Sequence, residues 1–259
     1  MLVMKFGGAS VATPESFTKL AEIIIQRSLC EKKIAVVVSA MGNTTDQLLE
    51  LARQVHPTPP TREQDMLVSV GERISIALLA MALQKLGGDA VSFTGSQSGI
   101  ITCENHSDAR IIDVKPRRLQ EALNRGQFAI VAGFQGVSRK GEITTLGRGG
   151  SDTSAVALAI ALGADRVEFY KDVPGIFDAD PKKNPQARVL PQLSYAEALK
   201  IAKEGAKVLH PRSIELAEKN GVKLSVLSFQ NPKDPGTIVG FETNRNSEMS
   251  YEVNTCLHS

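Results

Sequence analysis

Thr144-Thr145-Leu146-Gly147-Arg148-Gly149-Gly150-Ser151-Asp152-Thr153-Ser154-Ala155 carries three structural signals in one short stretch. Two threonines and a leucine read as the end of a short strand. The glycines around Arg148 read as a tight turn. Ser-Asp-Thr-Ser supplies N-cap chemistry ahead of 155–162, an almost wholly apolar run that reads as a helix. Strand, glycine loop and helix start together aim backbone N–H groups and the positive end of a helix at one point, and that point favours an anion. Arg148 adds a planar fork of donors suited to a carboxylate or a phosphate. Asp152 sets a negative group where a cation or a metal–phosphate is met. No Gly-x-x-x-x-Gly-Lys-Ser/Thr is present, and Asp152 stands where a Gly-x-Gly-x-x-Gly site needs its third glycine. Taken alone, such a loop also serves as an ordinary βα turn.

On both sides of the loop, strands alternate with helices. Residues 2–6, 34–38, 90–93, 128–132, 166–170 and 222–227 read as strands, and Ile34-Ala35-Val36-Val37-Val38 is the continuous apolar kind that a parallel sheet buries on both faces. Thr13-Pro14 announces a helix to about residue 29. Further helices fit 47–55, 61–86, 116–125, 195–204 and 211–220. Within 61–86, Met66, Leu67, Val70, Ile74, Leu78 and Met81 share one stripe, and Gly71-Glu72-Arg73 reads as a solvated flank. A long loop spans 171–188. This alternation implies an α/β fold with a mainly parallel sheet covered by helices on both faces. Sites in such sheets lie beyond the carboxyl ends of the strands, where this chain places its Gly, Ser, Thr and charged residues.

Bulk composition narrows the function classes. The chain has 259 residues, 42% of them apolar and 22% charged, as expected of an ordinary soluble globule. A net charge of +2 gives no pull toward nucleic acid or membrane, and the lack of Trp with only three Tyr argues against a base-stacking surface. Cys30, Cys103 and Cys256 are odd in number and widely spaced, which fits a reducing compartment without disulfides or a zinc site. No signal peptide precedes the first strand, and no apolar run approaches the length of a bilayer span. The expected location is the cytoplasm.

A second glycine loop, Lys5-Phe6-Gly7-Gly8, follows the first strand. Its lysine suits a point charge on a transferring phosphoryl group, and its glycines permit close backbone approach. A surface Lys beside a turn has the same sequence. The segment Tyr170-Lys171-Asp172-Val173-Pro174-Gly175-Ile176-Phe177-Asp178-Ala179-Asp180-Pro181-Lys182 suits a nucleotide clamp, with Lys for phosphates, carboxylates for ribose or Mg²⁺, and Phe177 or Tyr170 near a base. It fits a solvated acidic loop equally well.

Together these blocks resemble the aspartate kinases of the amino-acid kinase superfamily. The resemblance rests on Lys5-Phe6-Gly7-Gly8-Ala9-Ser10, Ser39-Ala40-Met41-Gly42, Gly71-Glu72, Gly133-Phe134-Gln135-Gly136, Thr145 through Asp152, Asp172-Val173-Pro174-Gly175 and Lys207-Val208-Leu209-His210-Pro211-Arg212. It runs in order from the first strand to about Gly240. It implies a three-layer αβα sandwich, with an amino-acid lobe over about 1–140 and an ATP lobe over about 141–240. It also implies ATP-dependent phosphorylation of L-aspartate to 4-phospho-L-aspartate, the entry step to lysine, threonine and methionine synthesis. Mg²⁺ would arrive with the nucleotide rather than on a protein metal site, and the protein would be a homodimer.

The same resemblance assigns roles. Lys5 and Asp152 are the catalytic pair. Ser39, Thr45, Glu72, Arg148, Gly149, Gly150 and Ser151 hold aspartate, with Arg148 on the α-carboxylate and Glu72 on the α-ammonium. Lys5, Phe6, Gly7, Gly8, Lys171, Asp172, Phe177, Asp180, Lys182 and Lys207 hold ATP. His210 reads as structural. In the family, Thr is more common where Lys171 stands. Aspartokinases usually continue into paired ACT regulatory domains; the expectation here is a catalytic domain of 1–240 without them, free of ACT feedback inhibition, and a poorly ordered tail over 241–259. A kinase for another carboxylate, such as glutamate or N-acetylglutamate, and a non-enzymatic sensor are the alternatives. Glu72 with Arg148 opposes an acylated amine, and the Lys5–Asp152 pair opposes a sensor.

Overall fold

A computed structural model describes residues 1–206, 208–241 and 249–252. Lys207 and most of the expected tail lie outside the described residues. The chain opens with β1 (Leu2–Phe6), α1 (Pro14–Ser28) and β2 (Ile34–Val38), then α2 (Thr44–Val55), α3 (Thr61–Val68), α4 (Val70–Lys85) and β3 (Ala90–Phe93). Two short strands, β4 (Ile100–Thr102) and β5 (Ile111–Val114), precede α5 (Arg117–Asn124), β6 (Phe128–Ala132), β7 (Gln135–Ser138) and β8 (Ile143–Thr145). Next come α6 (Gly150–Leu162), β9 (Arg166–Lys171), β10 (Gln192–Leu193), α7 (Tyr195–Lys203), α8 (Pro211–Asn220), β11 (Lys223–Ser228) and β12 (Thr237–Val239).

The main sheet has eight described strands in the order β3-β6-β2-β1-β9-β11-β12-β10. Neighbours run parallel except β11 and β12. All residues of β1 and β2 are buried, as runs without a polar face require. Alternation along the strands splits the core in two. Leu2, Met4, Phe6, Val36 and Val38 pack with α1 and α4 through Leu20, Ile24, Leu79 and Leu83. Val3, Val37, Val131, Val167 and Phe169 pack on the other face with α5, α6 and α8. Three layers result, as expected. From Gly150 to Ile160 every residue of α6 is buried, and beyond its polar first turn, from Ala155 onward, the helix is apolar all round.

The structure corrects four details of the sequence reading. First, α6 starts at Gly150, not after a Ser-Asp-Thr-Ser cap. Gly149 turns at φ 72°, and the Thr153 and Ser154 hydroxyls donate back to the Gly149 and Gly150 carbonyls inside the first turn. Second, 61–86 is two helices meeting at Ser69. At this junction the Ser69 hydroxyl donates to the Met66 carbonyl, and the Ser69 carbonyl accepts from Gln135 Nε2 at 2.8 Å. Third, the buried face of these helices is not the apolar stripe. Met66, Val70, Ile74 and Met81 are exposed, whereas Asp65, Gly71 and Glu72 face inward. Fourth, 61–85 is long and apolar enough by composition to cross a membrane; half of the relevant window is buried inside the fold.

A small second sheet, β5-β4-β7-β8, rises beside the main one. Of the expected tail, 249–252 is described and anchored. Ser250 exchanges two hydrogen bonds with the Asn220 side chain, Tyr251 packs on the core, and Glu252 accepts from the Ile111 N–H and the Arg212 guanidinium.

Candidate active site

The chain leaves β1 toward β2 on one side and later returns to β9 on the other, so β1 and β9 flank the switch point of the sheet. Lys5 lies near the carboxyl end of β1, on the face covered by α6. Its Nζ lies 2.6 Å from Asp152 Oδ1, and both side chains are nearly buried. Asp152 sits in the first turn of α6. The two glycine loops therefore converge, as the sequence reading expected.

Lys171, at the end of β9, brings its Nζ to 3.3 Å from Asp152 Oδ2. Two buried charges and one partly buried lysine now share one point. Burial alone would raise the Asp152 pKa, but Lys171 and Lys5 outweigh it and hold the carboxyl at about 2. Burial also dominates at Lys171, against the pull of Asp152, and lowers its ammonium to about 8. Asp152 is therefore an ionised anchor for two lysines at neutral pH.

A cavity of about 570 Å³ opens from this cluster. Lys5, Gly8, Ser39, Thr45, Glu72, Arg148, Gly149, Gly150, Ser151 and Asp152 all line it. Every residue expected to hold the amino acid is thus in one place. Gly149 needs its glycine twice over: its φ is 72°, and a Cβ there would fall 2.1 Å from His210 Cγ. His210 itself caps α8 by accepting from the Arg212 N–H, a structural role.

Glu72 is 2% exposed, and Oε1 accepts from the Ala40 N–H at 3.1 Å. Oε2 is buried without a hydrogen-bond partner among the described residues. Desolvation by burial raises this carboxyl to about 7. An orphaned buried carboxylate facing a cavity invites a cationic group. Arg148 is exposed on the opposite loop.

The residues expected to hold nucleotide are less gathered. Phe6 is fully buried and stacks on Tyr170 at 4.7 Å, so its side chain belongs to the core and it does not line the cavity. Gly7 lies beside Lys5, its Cβ position 3.5 Å from Nζ, and opens the turn 8–11. A Cβ on Gly8 would press on the Ala40 and Gly42 carbonyls at 3.0 Å. Asp172, Asp180 and Lys182 are exposed on the loop after β9, and Phe177 bridges to Val189. None of these four lines the cavity. Among the described residues no group of three or more His, Cys, Asp or Glu side chains is placed to hold a metal.

Sequence reasoning missed Asp46, Arg53, Gln64, Asp65, Ser107 and Phe134, which also line the cavity. Asp65 was legible only as a charge on a helical stretch, and Ser107 lies in a loop without periodicity.

The amino acid kinase family model matches residues 1–228. Aspartokinases of Mycolicibacterium smegmatis and Corynebacterium glutamicum are 55% and 52% identical over 240 residues, 92% of this chain. The chain spans 57% of the length of each of those relatives. The aspartate kinase of Synechocystis superposes with a TM-score of 0.85 at 46% identity, covering 97% of this chain and 41% of that one. E. coli aspartokinase III, solved in complex with aspartate and ADP, superposes with a TM-score of 0.82 at 29% identity, covering 92% and 64%. With the family pattern running through most of its length, and a lysine–aspartate pair seated at the switch point of the matching fold, this chain belongs to the amino acid kinase family.

Proposed function

We propose that this chain is the catalytic part of an aspartokinase, transferring the γ-phosphoryl group of ATP to the side-chain carboxylate of L-aspartate. The observation that carries this reading is the pairing of unpartnered Glu72 with Arg148 in the cavity that ends at Lys5 and Asp152. A free amino acid has the complementary ends: an α-ammonium for Glu72 and an α-carboxylate for bidentate Arg148. Its third charged group then lies at the lysine cluster. Ser39, Thr45 and the amides of Gly149, Gly150 and Ser151 complete the amino-acid contacts, the last three beside the positive end of α6.

A carboxylate oxygen of aspartate attacks the γ-phosphorus in line. The bond from that phosphorus to the β–γ bridging oxygen breaks, and ADP leaves with the electron pair. The nucleophile is already ionised at neutral pH, so no general base is required. Lys5 and Lys171 meet the charge spread over the transferring group, with the Gly7 and Gly8 amides beside them. Asp152 holds both lysines. Mg²⁺ bound to the nucleotide phosphates supplies further charge neutralisation. The nucleotide lies along the loop after β9, with Asp172, Phe177, Asp180 and Lys182 as its contacts, joined by Lys207. On this reading the amino-acid contacts are shared between 1–140 (Ser39, Thr45 and Glu72) and the glycine turn beyond it (Arg148 to Ser151), while most nucleotide contacts fall in 141–240.

The reading includes a homodimer, for which the exposed Val70, Ile74 and Met81 side of α4 offers an apolar face. It also includes a cytoplasmic location, compatible with the free thiols of Cys30 and Cys103. The test is a screen with ATP and Mg²⁺ across aspartate, glutamate and their N-acetyl forms, trapping the acyl phosphate with hydroxylamine. Turnover confined to aspartate is expected. Preference for an N-acylated acid would overturn the assignment of Glu72, and no turnover with any acid would overturn the enzyme.

A further inference from the structure

Beside the cavity, one carboxylate ties three segments of the chain together. Asp65, on α3, is fully buried. Its Oδ1 accepts from the Thr145 hydroxyl at 2.6 Å, and its Oδ2 lies 2.7 Å from His106 Nδ1. The Ser107 N–H reaches both oxygens at 3.1 Å. With both oxygens occupied by protein donors, Asp65 has little capacity left for substrate, although it lies in the cavity wall.

The partners explain what the carboxylate fixes. Ser107 holds φ 67° without being glycine, a conformation that persists only where its surroundings impose it. The Asp65 oxygens on its N–H are part of those surroundings. The loop around Ser107 presses directly on the glycine turn. A Cβ on Gly147 would meet Asp108 Oδ1 at 2.9 Å and the Ser107 carbonyl at 3.1 Å. The Ala109 N–H donates to the Thr145 carbonyl at 2.9 Å, closing the loop against β8. From behind, Arg212 donates to the Ala109 and Leu146 carbonyls. The residue next to Gly147 is Arg148.

We propose that Asp65 is a positioning residue for the amino-acid substrate: through Ser107 and Thr145 it sets the Gly147–Arg148 turn at the height that receives the α-carboxylate. The inference rests on the aspartate reading of the cavity. A buried carboxylate answered by three donors is a rigid device, because removing it strands each donor in a dry place. The nucleotide contacts at β1 and β9 share none of these donors, so the effect of Asp65 is confined to one substrate.

The experiment compares wild type, Asp65→Asn and His106→Ala in the hydroxylamine assay, varying aspartate and ATP separately. Asp65→Asn keeps the shape but turns one acceptor into a donor. It is expected to raise the KM for aspartate about tenfold or more while the KM for ATP stays within about twofold. His106→Ala removes one arm only; it is expected to shift the aspartate KM in the same direction by less, and it serves if Asp65→Asn fails to fold, which circular dichroism shows. If the wild type does not phosphorylate aspartate, the functional reading itself fails. If the wild type turns over normally but both variants leave the aspartate KM unchanged, or raise both KM values in parallel, Asp65 has no positioning role.

Discussion

Two lysines answer one carboxylate near the end of β1. Asp152 stays ionised throughout the working range. Lys5→Ala and Asp152→Ala are each expected to lower kcat about a hundredfold or more, the loss that follows removal of one preorganised charge; turnover at saturating substrates checks this. Burial lowers the Lys171 ammonium to about 8. In the free enzyme kcat/KM for ATP should therefore fall as pH rises through about 8, and Lys171→Thr should lower it at pH 7 and lose that alkaline limb. Arg148→Ala should raise the KM for aspartate and leave that for ATP nearly unchanged.

Glu72 shows the cost of a site built before its ligand arrives. Burial lifts its pKa from 4.5 to about 7, so the folded protein favours the protonated carboxyl. The associated stability is fully present below about 4.5 and is lost as pH rises through about 7. Glu72→Gln should therefore be more stable than wild type at pH 8, by up to about 3 kcal/mol, and gain little at pH 4.5. Urea denaturation at the two pH values measures the difference. The same variant should bind aspartate poorly, since the amide no longer answers an ammonium.

At the scale of elements, a second buried charge cluster joins α1 to β9. Glu168 is 2% exposed and takes hydrogen bonds from Arg27, from Arg166 and from the Tyr170 hydroxyl at 2.9 Å. Arg166 also reaches Glu31 beyond the end of α1. Glu168→Ala takes one acceptor from Arg27, Arg166 and the buried Tyr170 hydroxyl; with both guanidinium groups partly solvated and Arg166 still paired to Glu31, it should cost about 1–3 kcal/mol. The denaturation midpoint should fall, with kcat preserved in the molecules that remain folded. Elements buried on every side were legible in the sequence: Ile34–Val38, Phe128–Ala132 and the part of α6 from Ala155 onward contain only apolar residues. β4, β5, β10 and β12 were not legible, because two to four residues are too few to show a period. The inward face of α3 and α4 was misread for a different reason. Its charges look solvent-facing until Ala40 and Ser107 are seen donating to them.

Across the whole molecule, the meeting of Lys5 and Asp152 was readable because each partner sits beside its own glycine loop, and a parallel sheet brings such loops to one edge. The nucleotide side was less readable. Phe6 proved to be core, and the loop after β9 has composition but no period. Asp65 was beyond reach, since its meaning lies in partners 41, 42 and 80 residues away.

The similarity to the family model stops at residue 228, yet the fold draws on residues after it. Glu252 forms a double contact with Arg212, whose guanidinium also supports the carbonyl of Leu146 just ahead of the glycine turn. Cutting the polypeptide at residue 240 would leave that cation without its main counter-charge, and the Ile111 amide without its acceptor. A piece of this chain that keeps all of these bonds must run to Glu252, some two dozen residues past the end of the family-model match.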